Sequence, residues 1–129
     1  MTAAVVCTAL LALLVFALGL AVSLTRNSTG TNIGCKDDPA DRLYKLVRAH
    51  GNACEYVPIL AVLILLLGAR DPSAWVVWTF IAATACRYLH AAGMLLSPTL
   101  AAPQPLRFVG ALGTYVTGLM LVAATLLTL

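Results

Sequence analysis

Four long apolar stretches, separated by short polar and turn-forming segments, leave this chain almost no choice of fold. The first, from Ala3 to Leu24, carries no charge and is long enough to cross a hydrocarbon core of about 30 Å. The others cover 42–67, 74–96 and 106–127. In lipid every backbone polar group must be satisfied internally, so stretches of this length become helices. The expectation is an all-α integral membrane protein: a bundle of four transmembrane helices in one domain, 1–129. Composition excludes the soluble alternative. The chain is 61% hydrophobic and only 10% charged, with a mean hydropathy of +0.95. Any chemistry must be done by residues on or between the helices.

The first span lacks the basic start of a secretory signal and exceeds the roughly 7 to 15 residues of a signal core, so a permanent helix is expected. Thr25 to Asp41 is polar and glycine-containing and reads as a solvent-side loop. Asp38 or Asp41 suits the N-cap of the second helix, and Pro58 within it predicts a mild kink. Trp75 and Trp78 open the third span as interfacial anchors. In the fourth, Gly110, Thr114 and Gly118 form a small-residue stripe that permits close helix approach.

Arg26, Lys36, Arg42, Lys45 and Arg107 fall on one side of the spans and Arg70 on the other. This predicts cytoplasmic first and third loops, with both termini on the opposite side. Asn27-Ser28-Thr29 matches a glycosylation sequon, which would be idle on a cytoplasmic loop. The net charge of +3 is scattered and does not support nucleic-acid binding. The four cysteines are widely spaced, with no C-x-x-C pair, and His50 and His90 are far apart, so no metal site is expected.

Within the second span lies Arg48-Ala49-His50-Gly51-Asn52-Ala53-Cys54-Glu55-Tyr56-Val57-Pro58. A charged side chain at mid-bilayer costs about 2.5–3.5 kcal/mol on insertion scales, so charges kept there need a reason. At 100° per residue Arg48, Asn52, Glu55 and Tyr56 share one arc of about 100°, whereas His50 projects nearly opposite. Arg87 and Tyr88 lie at a comparable depth on the third helix, and Arg107 opens the fourth, where a helix N-terminus favours an anion. Three arginines on three helices describe a pocket for an anionic, polar ligand. Glu55 would either pair with an arginine or receive a ligand ammonium. The competing reading is structural: Arg48, Glu55 and Arg87 as a network that glues the bundle, Arg107 as a snorkelling anchor, and His90 as a packing residue.

The motif resembles the R-A-x-x-N-x-x-E-Y/N-x-P signature of the membrane-associated proteins in eicosanoid and glutathione metabolism (MAPEG), and the order of spans, Arg87-Tyr88 and Arg107 extends the resemblance along the whole chain. It implies a homotrimer of four-helix subunits with a glutathione site at each subunit interface near the cytosolic face. The resemblance assigns glutathione contacts to Arg48, Asn52, Glu55 and Tyr56, with Tyr88 from the third helix and Arg26 and His50 as further candidates. It makes Arg107 the catalytic residue that favours the thiolate. Arg87 is carried as a further binding candidate from its depth. Glutathione would be a co-substrate, and a hydrophobic molecule from the bilayer the second substrate.

Expected, then, is a membrane glutathione transferase, with glutathione peroxidase activity as a variant; detoxification is its natural setting. The alternative is a non-catalytic lipid-binding or scaffold protein of the lipoxygenase-activating type. A small transporter subunit would place its polar residues nearer the midplane. Ala92 stands where some eukaryotic members have a second tyrosine, and the pattern looks more like the bacterial members.

Overall fold

The computed structural model describes residues 1–128 and consists of four helices: α1 (Thr2–Thr29), α2 (Arg42–Gly68), α3 (Ala74–Leu96) and α4 (Pro105–Leu126). α1, α2 and α4 are long and apolar enough to cross a membrane by composition alone. α3 has 23 residues and sufficient length, but Arg87 and His90 dilute its hydropathy. Both side chains are buried within the bundle, so the polarity of α3 is turned away from lipid. The chain is an integral membrane protein.

Local chemistry accounts for the helix ends. Asp41, rather than Asp38, caps α2: its carboxylate accepts from the Tyr44 backbone N–H at 3.0 Å. Asp38 instead closes a turn onto the Ala40 N–H at 2.9 Å. Gln104 caps α4 by accepting from the Arg107 N–H at 2.7 Å, with Pro105 at the first helical position. α2 continues as one helix through Pro58.

α1 runs further than its sequence suggests. Thr25 to Thr29, expected in the loop, form its last turn. Ser28 and Thr29 satisfy their hydroxyls on the Thr25 carbonyl at 2.9 Å each, and Gly30, at φ 65°, ends the helix in the left-handed conformation that glycine adopts without a Cβ clash. Polar residues that signal a loop are here back-bonded to the helix they extend.

α1 packs on α2 and α3, and α4 packs on α3 and α2; among the described residues α1 and α4 do not touch. α3 and α4 make the closest approach. A Cβ at Gly93 would collide with the Arg107 backbone, one at Gly110 with the His90 backbone, and one at Gly113 with the Cys86 side chain. The small-residue stripe thus works at Gly110, where the buried Thr114 continues it, while Gly118 has only Leu60 Cδ2 nearby, at 3.9 Å. At the other end of the bundle Gly68 admits Ala4. The core between helices is built of Leu11, Ala53, Ile64, Phe80, Ala83 and Leu121, all at most 1% exposed.

Candidate functional site

Arg87 organises the polar interior. It is 1% exposed, and its Nη2 donates to the Asn52 side-chain oxygen at 2.7 Å and to the Asn52 carbonyl at 3.4 Å. Its guanidinium also lies over the Tyr56 ring, 5.1 Å from the centroid. One buried cation therefore fixes two members of the α2 motif from behind. A cation held by one side-chain amide and an aromatic face is tethered to its neighbours rather than open to solvent. Among the described residues Arg87 Nε has no hydrogen-bond partner.

Arg48 and Glu55 project outward from the same α2 face, and both are exposed. Tyr56 reaches across to α4, its hydroxyl 3.1 Å from that of Tyr115, with the two rings edge to face at a centroid separation of 5.8 Å. Tyr115 has no counterpart among the residues that the sequence singles out. A signal for it exists: a tyrosine at mid-span, away from the interfacial belt, needs a partner for its hydroxyl.

Arg107 stands apart from Arg87. Its guanidinium donates to the carbonyls of Leu100 and Ala102, at 3.0 Å each, and so folds the α3–α4 loop around itself. It lines an open cleft of about 740 Å³ together with His90, Gln104 and Phe108. His90 Nδ1 donates to the Arg107 carbonyl at 2.9 Å; a carbonyl only accepts, so Nδ1 carries the proton. His90 also lines a small polar chamber of about 20 Å³ with Asn52, Arg87, Thr114 and the two tyrosines. One imidazole is thus a shared wall between the Arg107 cleft and the Arg87 cluster. Arg107 opens α4 beside the α3–α4 loop, whereas Arg87 lies near mid-span with Asn52, Tyr56 and Tyr115, so the two guanidiniums are engaged separately and do not line one pocket within a chain.

The remaining candidates lie elsewhere on the chain. His50 packs toward α1, where a Cβ on Gly19 would come within 3.2 Å of its Nε2, and that nitrogen is 3.5 Å from the Cys54 sulfur. Arg26 donates to the Gly34 carbonyl at 2.7 Å at the end of α1. The Tyr88 hydroxyl donates to the Leu10 carbonyl at 2.7 Å and faces a separate apolar groove between α1 and α3. One chain therefore brings together Asn52, Tyr56 and Arg87, presents Arg48 and Glu55 beside them, joins Arg107 through His90, and leaves Arg26, His50 and Tyr88 on α1 and the surfaces against it.

Beside the tyrosine pair, a second groove of about 500 Å³ runs between α2 and α4, with Glu55, Tyr56 and Tyr115 at one end and Ile59, Leu63, Leu119 and Val122 along its walls. Polar head and apolar trough are continuous.

Fold and site together define a small polytopic membrane protein whose polar residues are gathered between and beside α2, α3 and α4. A model of the MAPEG family matches residues 4–127, and the chain belongs to that family. Membership supports a membrane role related to glutathione metabolism, in a family that includes glutathione transferases and non-catalytic members. No curated protein matches the chain.

Proposed function

We propose that the protein is a membrane glutathione transferase that works as a homotrimer, with glutathione bound between subunits and activated as a thiolate beside Arg107. The observation that carries this reading is the exposure of Arg48 and Glu55 on a helix that crosses the membrane. Two opposite charges facing lipid would each cost a few kcal/mol. Covered by a second copy of the chain, they become the walls of a site for a ligand bearing both carboxylates and an ammonium group. Glutathione has that pattern.

The division of candidate residues between two faces supports the same arrangement. Within one chain Arg26 is bonded to the Gly34 carbonyl and His50 packs toward α1, so a neighbouring subunit would be needed to bring them to Glu55. Arg107, at the N-terminus of α4, supplies a guanidinium and a helix dipole to a sulfur held in its cleft. Both favour the thiolate over the thiol, whose ordinary pKa is about 8.5 in cysteine. The apolar groove between α2 and α4, headed by Glu55 and the two tyrosines, offers a hydrophobic electrophile a place beside glutathione held by Glu55, with Arg107 brought to the sulfur by the assembly. Reduction of a hydroperoxide would use the same thiolate.

The lipid-binding alternative draws on one observation: the Arg107 guanidinium is bonded to loop carbonyls, which suits an anchor as well as a catalyst. Equilibrium binding of glutathione to the purified protein separates the two. A transferase binds it, and Glu55→Gln or Arg48→Ala weakens binding by roughly tenfold or more through loss of one charge-assisted contact. A lipid-binding scaffold binds none, and the substitutions then change nothing.

A further inference from the structure

Tyr115 is paired through its hydroxyl with Tyr56, and the proposed glutathione chemistry gives Tyr115 itself no part. Its hydroxyl lies 3.1 Å from that of Tyr56, and the pair closes one end of the apolar α2–α4 groove. In such a pair one hydroxyl donates to the other, and the acceptor's own proton stays free to point outward. Tyr56 is the half-buried partner, packed against the Arg87 guanidinium, and Tyr115 the exposed one, so the arrangement that leaves a proton free toward the groove has Tyr56 donating. The outward proton then belongs to Tyr115, which is 53% exposed. A hydroxyl that receives one hydrogen bond donates a stronger one, and more so where water is scarce. The result is a polarised O–H beside Glu55 at the polar end of a trough whose far walls, Ile59, Leu63, Leu119 and Val122, are aliphatic.

We propose that Tyr115 is a catalytic residue: it donates its hydroxyl proton to the oxygen on which negative charge develops when a thiolate adds to a hydrophobic electrophile lying in this groove, with Tyr56 as its positioning partner. This inference rests on the glutathione reading above. For a long-chain 2-enal the sulfur forms a bond to the β carbon, the C=C electron pair shifts toward the carbonyl, and the enolate oxygen takes the proton of Tyr115. The tyrosinate regains a proton from the water that received the one lost by the thiol. The enol then becomes the saturated aldehyde, and no further reactant is consumed. Hydroxyls placed to meet a developing oxyanion act mainly on the transition state, so their loss is felt in kcat.

The test is Tyr115→Phe in the full-length protein, assayed with glutathione and two acceptors of matched tail length, trans-2-nonenal and 1-iodooctane. The iodide loses its leaving group without any oxyanion forming. The ultraviolet thiolate signal on adding glutathione is read in the same samples. The inference predicts that the signal persists and that the ratio of enal to iodide kcat/KM falls roughly 10²-fold, the size of effect found when an oxyanion donor is removed. Tyr56→Phe, which removes the positioning bond but keeps the ring on Arg87, lowers the ratio less. An unchanged ratio with an intact signal overturns the assignment and leaves the glutathione reading standing. An equal fall for both acceptors also overturns it, because it marks Tyr115 as structural. Absence of a thiolate signal in the unmodified protein removes the glutathione reading, and this inference with it.

Discussion

Asn52 carries more of the polar interior than its half-buried position suggests, because its side-chain oxygen takes the shortest bond that Arg87 makes. Asn52→Ala leaves a buried guanidinium with a 3.4 Å contact to the backbone carbonyl and the face of Tyr56. Hydrogen bonds to charged groups contribute about 1.5–3 kcal/mol, and thermal unfolding in detergent should fall by a corresponding amount. An unchanged midpoint would show that Arg87 finds other partners and that Asn52 is free to serve a ligand alone. At this scale the sequence was informative about type and less so about partner. The arc of Arg48, Asn52, Glu55 and Tyr56 could be read from the helical period, since 100° per residue fixes which side chains are neighbours. That Arg87 would serve Asn52 and Tyr56 rather than an open pocket depends on the separation of α2 and α3, which the sequence pattern does not specify. The role of Tyr115 is hidden for the same reason: its meaning lies in a partner 59 positions away.

At the scale of the helix, the α3–α4 contact is the element on which the Arg107 cleft depends. Gly93 and Gly110 let the two backbones meet beside Arg107 and His90, where no larger side chain fits. Gly93→Ala and Gly110→Ala should each cost about 1–3 kcal/mol through the backbone shift they force, whereas Gly118→Ala, with only Leu60 nearby at 3.9 Å, should be tolerated. Melting curves of the three variants check this, and equal behaviour would contradict the close approach. Most helix limits were legible. α2 begins at Arg42 after its Asp41 cap, and α3 has the expected limits, because caps and prolines act locally. The end of α1 was not, since Thr25–Thr29 can bond either to water or back to the helix, and only the latter makes it continue to Gly30.

For the whole molecule, four helices of this length bury only part of their polar face within one chain. Arg48 and Glu55 remain on the surface of a membrane-spanning helix, while Arg26, His50 and Tyr88 lie toward or beyond α1. A second copy that joins these two sets removes charges from lipid and completes a site by one operation, which is the physical ground for the proposed trimer. Periodicity identified the polar face but not what covers it, because lipid-facing and subunit-facing surfaces are both apolar at their margins. In the proposed function everything downstream depends on the ionisation of glutathione beside Arg107. Its most direct measurement is the ultraviolet thiolate absorbance that appears when glutathione is added near neutral pH to the purified protein and to Arg107→Ala. A signal is expected that the substitution abolishes, with the variant still folded and of unchanged oligomeric size. No signal in the unmodified protein, or one that survives in Arg107→Ala, would contradict it.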